Sequence, residues 1–296
     1  MASISIDIFM DKLELPDVFV KNNNVIADVV VHYFESDLFA KKTKIQLNAN
    51  LISFLLDGTK ELYHNNQSQI ISNDQFVLAK SGNCLMTETL SVHKKYASLL
   101  FFFDNKIIAD FKKKYDVPFT INTENTAYSG PFVVLPYDHF IKNFVSSLSS
   151  LLQSQGAVQA NFLQLKLEEI LLYLTQKYGA SILTFFEVTP KLKSNKKLQA
   201  IVEGNIFSKL TLDELAFLCH MSLSTFKREF IKIYKTSPSK WFQDRRLEKS
   251  AQLLIQENER PSDIYLSVGY ESLSSFTQSF KQKFGKTPKK YQLQFV

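Results

Sequence analysis

The side chains best suited to do chemistry in this chain are hydroxyls, amides, amines and a guanidinium, and they sit in one short pattern written twice. From Ser222 the sequence reads S-L-S-T-F-K-R-E-F-I-K-I-Y-K-T-S-P; from Ser272, fifty residues on, it reads S-L-S-S-F-T-Q-S-F-K-Q-K-F-G-K-T-P. Phe226, Phe230 and Tyr234, then Phe276, Phe280 and Phe284, recur at every fourth position, which places the rings on one face of a helix. Ser, Thr, Lys, Arg and Gln fill the opposite face. Such a face, built twice in one domain, suits reading DNA at two adjacent places, with the rings serving as core rather than as base-stacking groups.

Covalent catalysis has no comparable pattern. The sequence holds no nucleophile elbow, phosphate loop or H-E-x-x-H. His32, His64, His93 and His139 are isolated, so no metal is expected, because metal sites need clustered ligands. Cys84 and Cys219 fall in different halves at no metal or redox spacing, and read as free thiols in a reducing cytoplasm. No cofactor is expected. No apolar run reaches membrane-spanning length, and the N-terminus lacks the order of a signal peptide, so no membrane partner is expected either.

Charge separates the two halves. Residues 191–296 carry 19 Lys+Arg against 10 Asp+Glu, whereas residues 1–190 carry 16 against 19. The basic excess lies with the repeat, as an electrostatic footprint for phosphate requires.

The elements that must position the repeat follow from caps and turns. A helix over about 195–206 comes first. Thr211 caps D-E-L-A-F-L-C-H, where Ala216 is small enough for close helix approach, H-M makes a turn, and Ser222 caps the next helix. Pro238 starts a long helix, Ser262-Asp263 begins a short one, V-G-Y-E turns, and Ser272 caps the second copy. The long helix, about 19 residues at roughly 1.5 Å each, spans near 28 Å. Successive major grooves on one face of B-DNA lie about 34 Å apart, so a rod of this length can hold both recognition helices against one duplex.

The R-R-L-E-K-S-A-Q-L-L stretch (245–254) and D-I-Y-L-S-V-G-Y-E-S-L-S-S-F-T-Q-S-F-K-Q-K-F-G-K-T-P-K-K-Y (263–291) resemble the AraC/XylS family of bacterial transcription regulators. That resemblance implies an all-α DNA-binding domain over 195–296, with two helix-turn-helix units joined by one long helix. It implies base-facing positions at Ser224, Thr225, Lys227 and Arg228, and at Ser274, Ser275 and Gln278, with Ser222, Ser272 and Lys281 near phosphates. Gln can read adenine and Arg guanine in bidentate fashion. The Ser and Thr positions fit phosphate contact equally well. Two positions depart from the family: Tyr265 replaces the usual Ala, and Lys235 stands where Gly is wanted, as Gly285 does in the second copy.

In front, V-I-A-D-V-V-V-H-Y-F (25–34), L-I-S-F-L-L (51–56), Q-I-I-S (69–72) and Y-A-S-L-L-F-F-F (96–103) read as short strands between turns. Residues 1–20 read as an irregular lead-in because of Pro16. The fold class is therefore α+β, with a small antiparallel barrel or sandwich over about 25–103, cupin-like if the resemblance extends this far. Helices follow at about 104–115, capped by Asp104, and at about 138–155 and 158–178. The front domain is expected over 1–180 and a linker over 181–194. Phe54, Phe76 and Phe101–Phe103 are expected to fill the barrel, which favours a closed core.

The apolar stripes of 138–178 either pair two chains in a homodimer or roof the β-domain. L-K-L-E-E-I-L-L-Y-L (165–174) and M-S-L-S-T-F-K resemble ExsA-type activators of secretion genes, whose front domain answers to a protein. The effector thus reads as a small molecule or a protein. The expected function is a cytoplasmic, sequence-specific transcription activator that binds double-stranded DNA and works with RNA polymerase. The alternatives are a cupin-type enzyme with a DNA-binding tail and a non-specific architectural DNA binder.

Overall fold

The computed structural model describes residues 12–20, 28–117, 130–153, 160–187, 194–256 and 259–295. The chain divides into two compact units, one formed by Met1–His64 and Ser68–Lys191, the other around Leu192–Val296.

The first unit runs β1 (Leu13–Leu15), α1 (Asp17–Val20), β2 (Val29–Ser36), β3 (Ala40–Leu47), β4 (Asn50–Asp57), β5 (Thr59–His64), β6 (Gln67–Ile71), β7 (Gln75–Ala79), β8 (Gly82–Thr89), β9 (Tyr96–Phe103), α2 (Asn105–Lys114), β10 (Phe132–Pro136), α3 (His139–Gln153), α4 (Ala160–Tyr178) and α5 (Ser181–Thr184). The strands form two five-stranded sheets, in the orders β1-β3-β8-β5-β6 and β10-β7-β4-β9-β2. The lead-in departs from expectation: residues 13–20 are regular, and β1 joins the first sheet parallel to β3. Residues 1–11 and 25–27 lie outside the described residues.

Strand β9 shows why its sequence is an unbroken apolar run. All eight of its residues are buried, because both faces of the second sheet are covered. Alternation along the strand sends Leu99, Phe101 and Phe103 toward the helices, and Tyr96, Leu100 and Phe102 toward the other sheet. This corrects the expected packing. Phe54, Phe76, Phe101 and Phe103 pack among the helices, and of the five phenylalanines only Phe102 faces the space between the sheets. That space is not closed: a cavity of about 150 Å³ lies there, walled by Leu47, Leu51, Leu62, Val77 and Leu100. Three buried polar groups also line it. Lys60 Nζ donates to Ser53 Oγ at 2.7 Å, and Glu88 sits opposite Lys60 in the β5–β8 register. Burial lowers the Lys60 pKa, and burial pushes the Glu88 carboxyl up to about 7 despite the opposing pull of Lys60.

Asp104 caps α2 by accepting from Ile107 N at 3.2 Å. Helices α3 and α4 roof the second sheet with Ile141, Phe144, Leu148, Leu167, Ile170, Leu171 and Leu174. Lys177 and Tyr173 both hydrogen-bond Asp138, and Lys114 and Tyr115 reach Glu168 at 2.7 and 2.8 Å, so ion pairs lock the roof helices to α2 and to each other. The roof reading therefore accounts for these residues, while Phe162 and Leu165 stay exposed on α4. The first unit also runs further than expected. Ile182, Leu183, Phe185 and Phe186, placed in the linker by sequence, are buried in its core, with the Phe186 ring edge-on to Phe103 at 5.1 Å. Linker residues 188–193 and helix ends 154–159 lie outside the described residues.

The second unit runs α6 (Ser194–Gly204), α7 (Leu212–Leu218), α8 (Leu223–Tyr234), α9 (Pro238–Gln256), α10 (Pro261–Ile264), α11 (Leu273–Phe284) and α12 (Pro288–Gln292). It holds two small cores strung on one helix. The first part of α9 gives Trp241 and Phe242 to a core with Leu198, Leu215, Phe226 and Phe230. Its later part gives Leu247, Ala251 and Leu254 to a core with Ile264, Val268, Phe276 and Phe280. Tyr265, where a small residue was expected, is accommodated at the edge of this second core. No described helix is long and apolar enough to cross a membrane.

Candidate nucleic-acid interface

The two copies of the repeat are built with the same local devices. Thr211 caps α7 in a capping box, accepting from Glu214 N at 3.2 Å while Glu214 accepts from Thr211 N at 2.6 Å. The turn after α7 closes with His220 N donating to Phe217 O at 2.9 Å and Met221 N to Ala216 O at 3.0 Å. The turn after α10 repeats this pair: Gly269 N donates to Leu266 O at 3.1 Å and Tyr270 N to Tyr265 O at 2.9 Å. This is the Schellman arrangement, which needs a left-handed residue, supplied by His220 (φ 58°) and Gly269 (φ 86°). Ser222 then caps α8 by accepting from Thr225 N, and Ser272 caps α11 by accepting from Ser275 N, both at 3.2 Å. Each such cap stabilises its helix by about 1 kcal/mol relative to Ala.

The far ends match as well. Lys235 N donates to Ile231 O at 2.9 Å, and Gly285 N to Lys281 O at 2.8 Å, with φ of 57° and 75°. Lys235 thus adopts the left-handed conformation that its place in the repeat demands, at a cost of about 1 kcal/mol that Gly285 avoids.

With the rings of Phe226 and Phe230 buried, helical geometry turns Ser224, Lys227, Arg228 and Ile231 outward together, with Thr225 half-buried at their edge. On α11 the equivalent outward set is Ser274, Thr277, Gln278 and Lys281, with Ser275 beside it. Ser222 and Ser272 stand at the helix starts, their oxygens engaged in capping. Sequence reasoning left out Ile231 and Thr277. Fifty-residue periodicity could have found both, since Ile231 aligns with Lys281 and Thr277 with Lys227.

Electrostatics favour the basic groups on this face. Glu229 accepts from Arg228 Nε at 3.2 Å and from Lys232 Nζ at 2.9 Å; these bonds hold its carboxyl below the usual range. The Arg228 side chain remains 65% exposed, so its terminal nitrogens stay available to an acceptor in a groove. Beneath α11, Lys283 bonds Asp244 at 2.7 Å and Glu248 at 3.1 Å, and Gln243 donates to Ser279 at 3.2 Å, which pins this helix to α9. Among the described residues no group of three or more His, Cys, Asp or Glu could hold a metal.

Comparison with known proteins agrees with both units. The model of the ExsA N-terminal regulatory domain matches residues 50–185, and a helix-turn-helix domain model matches residues 215–294. The virulence regulon transcriptional activator VirF of Yersinia enterocolitica is 29% identical over 164 residues, covering 55% of this chain and 60% of VirF. The regulator ExsA of Pseudomonas aeruginosa is 32% identical over 126 residues, 42% of this chain and 45% of ExsA. The matched stretches thus span about half of these relatives' own lengths. Among solved structures, apo ToxT of Vibrio cholerae aligns over 91% of this chain and 98% of ToxT at 16% identity, with a TM-score of 0.42. With an ExsA-type regulatory domain in front and a paired helix-turn-helix domain behind, the chain belongs to the AraC/XylS family.

Proposed function

We propose that the chain is a sequence-specific transcription activator that reads two successive major grooves of double-stranded DNA with α8 and α11. The observation that carries this reading is the duplicated probe: two serine-capped helices of equal length, each with polar and basic residues outward, both rooted in α9. Arg228 and Gln278 read base edges, Ser224, Thr225, Lys227, Ser274 and Ser275 support them, and Ser222, Ser272 and Lys281 meet phosphates. The division of labour follows the two units: the front one receives the signal, and residues 195–296 bind DNA. Activation involves RNA polymerase, in the cytoplasm where its template is. The chain acts by binding and carries out no reaction of its own, in keeping with relatives that are named as transcription regulators.

Competition binding tests the central part. One site should be preferred by about 10³-fold or more over random duplex, and log affinity should fall steeply with log salt. Lys281→Ala should reduce that salt slope by about one. Equal affinity for all duplexes would favour an architectural binder, and an unchanged slope would place Lys281 off the DNA.

The effector is a small molecule held between the two sheets. An apolar cavity of about 150 Å³ with Lys60, Ser53 and Glu88 on its wall suits a compact apolar body with one polar end. Filling it with Leu62→Trp should fix promoter output at one level while DNA binding persists; output that still responds like wild type would exclude the cavity. Pairing of two chains uses the exposed Phe162 and Leu165 of α4. Sedimentation of the whole chain as a monomer at all micromolar concentrations would remove that contact.

A further inference from the structure

Arg246 stands at the middle of α9, between the two small cores, and it points at neither groove-reading helix. Its side chain is half-buried, and burial lowers its pKa. All three nitrogens of its guanidinium donate to main-chain carbonyls. Nε meets Ile206 O at 3.0 Å and Nη2 meets Ser208 O at 2.9 Å, both in the segment between α6 and α7 that leads into the first helix-turn-helix. Nη1 meets Gly269 O at 3.3 Å, in the turn of the second. One planar cation therefore ties an acceptor set from one reading unit to an acceptor from the other.

Gly269 supports the same interpretation from the opposite side. A Cβ there would come within 3.0 Å of the Arg246 guanidinium, so this turn and this side chain are fitted against each other. The three carbonyls lie in turns outside the helices, where main-chain acceptors need a partner, and the half-buried guanidinium supplies it without any carboxylate. Lysine does not replace such a brace, because one ammonium is a point donor while the guanidinium fork fixes three directions at once. The hydrogen bonds of Gln243 to Ser279 and of Lys283 to Asp244 tie α9 to α11 and orient that probe alone. Arg246 instead joins the 206–208 segment ahead of α7 to the turn at Gly269.

We propose that Arg246 is a positioning residue for DNA recognition: it sets the spacing and rotational phase of the two probes, and so decides how many base pairs separate the two halves of the site. This inference rests on the two-groove reading above. Coupling two binding elements raises affinity only while the geometry lets both engage, so a brace between them shows up as intolerance to altered spacing.

The test uses the full chain on the preferred site and on the same site with one base pair inserted between its halves. Wild type should bind the inserted duplex about tenfold more weakly. Arg246→Lys, folded by circular dichroism, should bind the parent site more weakly and lose most of that discrimination, with the ratio falling to about twofold. Loss of stability alone would weaken binding to both duplexes equally and leave the ratio unchanged. Arg246→Gln, which keeps donors for the carbonyls, serves in the same assay if the lysine variant does not fold. A folded variant that keeps the tenfold ratio overturns the role of Arg246. A wild type indifferent to the insertion overturns the two-groove reading itself, which separates the two failures.

Discussion

Truncating Phe280 to alanine should destabilise the second reading unit by about 3–5 kcal/mol, the range for removing a fully buried phenylalanine ring. The ring is wholly inaccessible and lies 5.7 Å from Phe276, 4.5 Å from Phe284 and 5.3 Å from Tyr291, so no neighbour can move in to fill its place cheaply. A domain is stable by only about 5–15 kcal/mol, so such a loss is a large fraction of the whole. The consequence for DNA is selective, because the first unit has its own core around Phe226, Phe230, Trp241 and Phe242. A footprint of Phe280→Ala should retain the half protected by α8 and lose the half protected by α11. Phe230→Ala, whose ring packs 4.5 Å from Tyr234 and 5.7 Å from Trp241, should produce the mirror-image footprint. Two intact half-footprints, with urea unfolding shifted by less than about 1 kcal/mol, would show that these rings do not hold the probes.

The second large effect concerns recognition itself. Arg228→Ala and Gln278→Ala should each weaken the preferred site by about 1–3 kcal/mol and relax preference at one base step. The two residues lie on different helices with separate cores, so their effects should add within about 0.5 kcal/mol in the double variant. Glu229 modulates the first of them. By holding Arg228 Nε it limits the rotamers of the guanidinium, leaving the terminal nitrogens to make the bidentate contact. Equal losses on every duplex would reassign both residues to phosphate.

The DNA-binding unit was legible because its signals are local and repeated. Caps at Thr211, Ser222 and Ser272, the aromatic spacing, and Pro238 at the start of the long helix are each read from a few neighbouring residues, and the structure uses them in that way. The left-handed Lys235 was legible only by alignment with Gly285, since nothing in lysine itself demands that conformation. Arg246 was legible as part of R-R-L-E-K, yet its three carbonyl partners lie 23 to 40 residues away in sequence, and no spacing rule reaches them.

The front unit was harder for the same reason. Strand β3, A-K-K-T-K-I-Q-L, carries three lysines and shows a bulge between Ala40 and Thr43, which hides its alternation. Strand β6 exposes four of its five residues, so only its Q-I-I end reads as a strand, and β10 lies beyond the stretch expected to hold the barrel. Phe54 and Phe101 were recognisable as core, but which side of a sheet they face depends on pairing register, and a shift of one residue reverses it. The cavity beside Lys60 is in keeping with that reversal: Phe54, Phe76, Phe101 and Phe103 lie on the helix side, and leucines and valines make up much of the wall between the sheets.

Selection of bound sequences from random DNA by the full chain, followed by footprinting of the winners, is the most direct measurement. The expected result is two short blocks of preferred bases whose centres lie about one helical turn apart, with protection on a single side of the duplex, and with preference relaxed at one base step of one block in Arg228→Ala and of the other block in Gln278→Ala. A single contiguous block, or two blocks on opposite sides of the duplex, would contradict reading by α8 and α11 from one rod.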